Sequence, residues 1–219
     1  MNTTGATLAI FDLDGVLTRA DTMATLVGGR LKARPHRLVA ALPLVLAAVS
    51  APPDSALKPA VNRRLVALAL RGMSRSEYEE LAGRVGRTLA ERTTVVRQAV
   101  AVCAAAVRRG PTVVATASEE TLARAFLDGV GLGGIPLIAS RLEYTARGPR
   151  LAAHNVGEAK LHAVRRAGFA PEDAIFYTDS ASDTPLARAA RKTVAVNADR
   201  RSIRKFAADG THVDHEHWR

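Results

Sequence analysis

The stretch Ile10-Phe11-Asp12-Leu13-Asp14-Gly15-Val16-Leu17-Thr18 constrains the fold more than any other part of the chain. Leu8 to Phe11 is a short apolar run, the length of a buried strand. It stops at two aspartates two residues apart, followed by Gly15. On a strand, side chains at i and i+2 point to one side, so Asp12 and Asp14 start on a common side. Two carboxylates that close repel unless a cation or a proton lies between them. A hard divalent cation such as Mg²⁺, which takes oxygen ligands, meets that need. In an open α/β sheet, ligands bind beyond the carboxyl ends of the strands, where this pair would sit. Alone, the pair would read as an acidic turn after a buried strand. Three downstream pieces match it.

The rest of the chain supplies the frame. Its 219 residues, 47% apolar, suffice for one large domain or a domain with an insert. The single cysteine, Cys103, excludes an internal disulfide or a multi-cysteine zinc site, and its alanine-rich surroundings predict a packed core thiol. The first residues lack the basic and apolar regions of a signal peptide, and no run of about 18 apolar residues occurs. A cytoplasmic protein is expected. The net charge of +10 is spread over scattered arginines, with only nine aromatic residues. Nucleic-acid modules combine a basic stripe with stacking aromatics, so no nucleic-acid partner is expected.

From Asp21 to about Arg109 the pattern is almost wholly helical. Helices are predicted over Thr22–Leu31 and Arg37–Val49, the second kinked at Pro43 unless that residue lies near its start. After a break at Ala51-Pro52-Pro53-Asp54, a third runs from a cap at Asp54 or Ser55 to about Arg71. Ser74-x-x-Glu77 is a capping box that opens a fourth, and Thr93 or Thr94 opens a fifth reaching Arg109. Strands are predicted at Thr112–Ala115, Leu137–Ser140, Ala174–Thr178 and Thr193–Val196, with a hairpin over Leu142–Leu151. Helices are predicted at Glu119–Gly129, Gly157–Ala167, Thr184–Ala190 and Arg200–Ala208. This alternation predicts an α/β, doubly wound, mostly parallel sheet. The helical block between the first two core strands is too long for an ordinary crossover. It reads as a small cap domain over residues 19–94, inserted into a core of residues 1–18 and 95–219.

Three pieces join the first. The strand at Val113–Ala115 ends in Thr116-Ala117-Ser118 before a helix, where hydroxyls and backbone N–H groups favour an anion; a plain Ser118 N-cap is the other reading. Lys160 lies early in a helix and could reach a phosphate, although most surface lysines do not. Ala174–Thr178 ends in Asp179-Ser180-Ala181-Ser182-Asp183, a second acidic strand end, where Asp183 is also a good N-cap before Thr184-Pro185.

In order, these pieces are strand-DxD, helical insert, strand-Thr/Ser, Lys, strand-DxxxD. The chain resembles the haloacid-dehalogenase-like (HAD) superfamily, and within it the phosphoserine-phosphatase-like branch (subfamily IB), which carries a helical cap of the C1 type. The resemblance covers about Leu8 to Ala208. It implies that Asp12 is the nucleophile forming an aspartyl-phosphate and Asp14 the acid/base. Thr116 and Ser118 would bind phosphoryl oxygens, and Lys160 would neutralise the phosphate and Asp12. Asp179 would bind Mg²⁺ with Asp12 and the carbonyl of Asp14, and Asp183 would support the metal. Phosphatase members carry the second acid of the first motif and dehalogenase members lack it there, so Asp14 implies phosphoryl chemistry.

The chain departs from true phosphoserine phosphatases at Gly15-Val16, where Ser-Thr is usual, and at Ser182, where asparagine is usual. Asp21 stands where they place a glutamate that meets the substrate amine, but it equally suits an N-cap of the first cap helix. Arg30, Lys32, Arg34, His36 and Arg37 would suit either an anionic substrate or solvent. The tail Thr211–Trp218, rich in histidine, is expected to be a loose terminus with at most adventitious metal binding. The reading is a Mg²⁺-dependent phosphomonoester phosphatase acting on a small phosphorylated metabolite: phosphoserine-like, a sugar or cyclitol phosphate, or a lipid phosphate. The alternatives are a phosphotransferase or mutase on the same scaffold, and a non-catalytic membrane-surface or binding protein using the Leu38–Val49 helix.

Overall fold

β1, Leu8–Phe11, is buried along its whole length, and the molecule is layered around it. The structure, a computed structural model, describes residues 7–50 and 57–219. β1 pairs in parallel with β2 (Thr112–Glu119) on one side and β5 (Ala174–Thr178) on the other. β3 (Leu137–Thr145) adds in parallel to β2, and β4 (Gly148–Ala153) turns back antiparallel against β3. On the far side β6 (Lys192–Val196) and β7 (Asp214–Glu216) extend the sheet in parallel. The order is β4-β3-β2-β1-β5-β6-β7, the mostly parallel doubly wound sheet that was expected.

Alternation along β1 splits the core. Ala9 and Phe11 face α5 (Arg97–Arg109) and α6 (Glu120–Gly129), packing with Cys103 and Phe126. Leu8 and Ile10 face the other layer, α7 (Glu158–Arg166), α8 (Thr184–Ala189) and α9 (Arg200–Ala208), packing with Leu161, Leu186 and Phe206. Cys103 is a core thiol, as its surroundings predicted, and burial pushes its pKa up to about 12.

Between β1 and β2 run α1 (Thr22–Lys32), α2 (Pro35–Ser50), α3 (Leu57–Leu70) and α4 (Arg75–Ala90). The break at Ala51–Asp54 and the caps expected at Asp54 or Ser55 lie outside the described residues. α2 starts at Pro35, whose fixed φ suits a first turn, and continues past Pro43. The Ser74–Glu77 capping box is formed, with both reciprocal bonds. α5 starts at Arg97, later than Thr93 or Thr94, because the segment before it is pulled into extended pairing. Arg19 N–H donates to the Thr94 carbonyl at 2.8 Å and Val96 N–H to the Leu17 carbonyl at 2.9 Å. The two strands entering and leaving the helical block are thus clipped together. α4 lies directly on α6: a Cβ on Gly86 would come within 2.7 Å of Ala125 Cβ and 2.8 Å of the Leu122 carbonyl.

The tail is not loose. Residues 214–216 form β7, and Trp218 is buried against Tyr177, ring centroids 5.5 Å apart. Asn197, in a left-handed conformation at φ 51°, holds it reciprocally: its side-chain amide donates to the Trp218 carbonyl at 3.1 Å and its oxygen accepts from Trp218 N–H at 3.0 Å. The nearby apolar residues gave no period from which this docking could be predicted. Among the described residues of the tail, no three metal-ligating side chains converge. Trp218→Ala is expected to destabilise the chain by about 3 kcal/mol in urea unfolding, the usual cost of emptying a buried aromatic site. An unchanged midpoint would show that the tail is dispensable.

Candidate active site

The carboxyl ends of β1, β2 and β5 meet above the sheet, and the polar side chains that the core excludes collect there. Asp12 ends β1. One carboxylate oxygen, Oδ1, accepts from Leu13 N–H at 2.7 Å and the other, Oδ2, from Lys160 Nζ at 3.0 Å. Lys160, at the start of α7, is fully buried and also donates to Asp183 Oδ2 at 2.7 Å. Burial pulls its pKa down, but Asp12 and Asp183 outweigh this, so the ammonium is held charged beyond lysine's usual range. Thr178, the last residue of β5, donates to the same Asp183 oxygen at 3.0 Å. Asp183 precedes α8 but makes no capping bond there. Its side chain serves Lys160 instead.

Asp14 is held separately. Ser118 Oγ donates to its Oδ2 at 2.6 Å, and the backbone N–H of Thr22 donates to its Oδ1 at 3.1 Å. The Thr22 and Ser118 hydroxyls also touch. Burial lifts Asp14 to about 6, opposed by the Ser118 bond and assisted by the charge of Asp21. Ser118 is free for this because it is not an N-cap. β2 continues through it to Glu119, and the Glu119 carboxylate caps α6 by accepting from Leu122 N–H at 3.1 Å. Thr116 lies buried one strand step earlier, its hydroxyl accepting from Ser118 N–H at 3.0 Å.

Asp179 lies against the first motif. A Cβ on Gly15, which sits at φ 80°, would run into the Asp179 carboxylate. The glycine that departs from the Ser-Thr pattern is what permits this approach. Burial, then Asp183, raise Asp179 to about 7. Burial also raises Asp12 well above the usual carboxylate range; Lys160 opposes this, while Asp183 and Asp179 add to it.

Asp21 takes the blander of its two readings: its side chain accepts from Ala24 N–H at 2.7 Å and caps α1. Several site residues carried no signal in the sequence. Thr22 reaches Asp14 only because α1 starts above it. Asn155 donates to the carbonyls of Thr116 and Ile138 at 2.9 and 3.2 Å, bracing the end of β2. Tyr78 on α4 donates to Glu119 at 2.5 Å, a buried bond from the helical block to the sheet. His154 sits near enough to Arg63 and Lys160 that they add to the lowering of its pKa by burial.

The family model for haloacid dehalogenase-like hydrolases matches residues 9–188. The chain belongs to this family. Several solved structures share its fold. A protein of unknown function from Bordetella pertussis Tohama I is 21% identical, with a TM-score of 0.66, covering 96% of this chain and 99% of that one. A phosphoserine phosphohydrolase-like protein from Francisella tularensis is 14% identical, with a TM-score of 0.60, covering 92% and 98%. A substrate-bound phosphoserine phosphatase is 16% identical, with a TM-score of 0.61, covering 92% and 91%. No curated protein sequence matches the chain. Within the family's fold, all four motifs come together at one end of the sheet.

The raised carboxyls set a pH dependence. Asp14 and Asp179 titrate near 6 and 7 when folded, against the ordinary 3.8. The folded chain therefore holds more protons than the unfolded chain between those values. Without a cation, their contribution to stability falls as pH rises from 3.8 through about 7. In EDTA at neutral pH, Asp179→Asn is expected to raise stability by on the order of 2 kcal/mol. Equal melting temperatures for variant and parent would contradict this.

Proposed function

We propose that this hydrolase is a Mg²⁺-dependent phosphomonoesterase working through an aspartyl-phosphate on Asp12. The observation that carries the reading is the division of labour between the two acids of the first motif. Asp12 is paired with a buried ammonium, and Asp14 is held by hydroxyl and amide donors with its pKa near neutrality. In the first step an Asp12 oxygen attacks phosphorus, the ester P–O bond breaks, and the leaving alkoxide takes the proton of Asp14. In the second, Asp14, now a carboxylate, takes a proton from a water molecule that attacks the acyl phosphate. Phosphate leaves and Asp12 is regenerated. Lys160 neutralises Asp12 and the phosphoryl oxygens, and Asp183 and Thr178 keep Lys160 aimed. Thr116 donates to the phosphoryl group, and the single hydroxyl proton of Ser118 serves Asp14 instead.

The donor set suits Mg²⁺: hard carboxylate oxygens, with one lysine among four acids. Asp12 and Asp179, with the carbonyl of Asp14, would hold the ion, and Asp183 would support it from behind. When bound it would supply the charge screening that lets a carboxylate approach a phosphate dianion. Residues 19–94 would act as a cap over a core of residues 1–18 and 95–219, excluding bulk water during phosphoryl transfer. The clip between Thr18 and Val95 and the Tyr78–Glu119 bond support that division. The substrate is a small phosphorylated metabolite. With Asp21 committed to α1, no acid is assigned to a substrate amine.

The test is phosphate release from a panel of phosphoserine, sugar, cyclitol and lipid phosphates with Mg²⁺. Asp12→Asn is expected to lose about 10³-fold or more, and EDTA to abolish release. Release that survives Asp12→Asn would overturn the mechanism. Transfer to an added alcohol in preference to water would make the enzyme a phosphotransferase. Ser118→Ala removes a bond that favours ionised Asp14. The alkaline limb of kcat/KM, set by protonated Asp14 in the first step, is expected to move to higher pH. A limb that stays in place would separate Ser118 from Asp14's titration.

A further inference from the structure

α2 is built the wrong way round for a helix on a water-facing surface. Its buried contact is small: Ala41 packs with Leu31 of α1 and Ala69 of α3, with Leu44 half-buried. Five of its large apolar residues point outward. Val39 and Leu46 are each 66% exposed, Leu42 51%, Val45 40% and Leu38 39%. At the helical step of about 100° per residue these five fall within an arc of about 120°. They form one continuous stripe, where single exposed leucines would be unremarkable. No other element among the described residues concentrates exposed large apolar side chains in this way.

The surroundings of the stripe are basic. Between Thr22 and Met73 the sequence has eight lysines and arginines and one acid, Asp54. Four of the eight, Arg30, Lys32, Arg34 and Arg37, lie at the end of α1 and the start of α2, beside His36. Arg37 is fixed there by donating to the Ala69 carbonyl at 3.2 Å. Arg34, Arg30 and Arg71 stand near enough to add to the lowering of its pKa by burial. An apolar stripe on a helix without acids, with four cations at its start and Glu77 of α4 beside Arg30 and Arg34, complements an interface that is apolar below and anionic above.

We propose that α2 docks the protein on an anionic membrane surface, with Leu38, Val39, Leu42, Val45 and Leu46 entering the headgroup–acyl boundary and the Arg30–Arg37 segment meeting lipid phosphates. The helix lies on the bilayer and does not cross it. Its 16 residues span about 24 Å, short of the hydrocarbon core, and no helix among the described residues is long and apolar enough to span. The proposal stands apart from the phosphatase reading, since none of these residues is assigned to the chemistry.

The test is sedimentation of the full chain with vesicles of phosphatidylcholine alone and of phosphatidylcholine mixed with phosphatidylglycerol. Binding to the mixed vesicles is expected, weaker on pure phosphatidylcholine and reduced by salt. The double variant Leu42→Glu/Leu46→Glu is expected to lose binding by about tenfold or more while keeping its melting temperature, because both side chains face water. Lys32→Gln/Arg34→Gln should lose the preference for anionic lipid and keep the fold. The proposal is overturned if the chain fails to bind the mixed vesicles or if the double-glutamate variant binds as the parent does. It is also overturned if light scattering finds a dimer that the same variant dissociates while vesicle binding is absent, since a second copy would then be the occupant.

Discussion

A buried ammonium between two carboxylates is the interaction on which the site depends. Lys160 is out of water, so its charge persists only because Asp12 and Asp183 flank it. Removing Lys160 would leave two buried carboxylates without a countercharge, a costly defect in a core. The pair also ties together three elements remote in sequence: the end of β1, the start of α7 and the turn after β5. Because β1 is paired on both sides and covered on both faces, its end is fixed, and Lys160 inherits that rigidity. The nucleophile role proposed for Asp12 needs a countercharge that does not wander, and burial of Lys160 provides one.

The second acid depends on a different arrangement. Asp14 sits where the helical block begins, and Thr22 of α1 is one of its donors. The block is attached to the sheet by backbone pairing of its two connecting strands, by the buried Tyr78–Glu119 bond and by close packing of α4 on α6. The acid/base candidate is thus held partly by the core, through Ser118, and partly by the block. A change in the seating of α1 would be felt at Asp14 before Asp12.

The helices of the block do not share one environment. α4 has its inner face packed to contact distance on α6, with glycine where the backbones approach. α2 presents five large apolar side chains outward and Ala41 inward. A periodicity reading sees apolar residues at helical spacing in α2 and assigns them to packing, because the pattern identifies a face without saying what lies against it.

The sequence alone sufficed for the architecture and for the candidate residues that the fold brings together. The buried run at Leu8–Phe11, the strand–helix alternation after residue 110 and the four short motifs specify a parallel sheet with acids at its carboxyl end, because strand periodicity and chain order are local properties. Asp12, Asp14, Thr116, Lys160, Asp179 and Asp183 were all legible in that way. Only the tertiary structure decided how residues far apart would share atoms: that Ser118 and Thr22 hold Asp14, that Asp183 serves Lys160, that Asp21 caps a helix, that Gly15 makes room for Asp179. It also decided that the histidine-rich tail docks through Trp218 and that α5 starts late, since both follow from backbone groups paired across the fold. Hydrogen bonds between distant segments and the identity of what covers a face leave no period in a sequence, and these settled the details of the site.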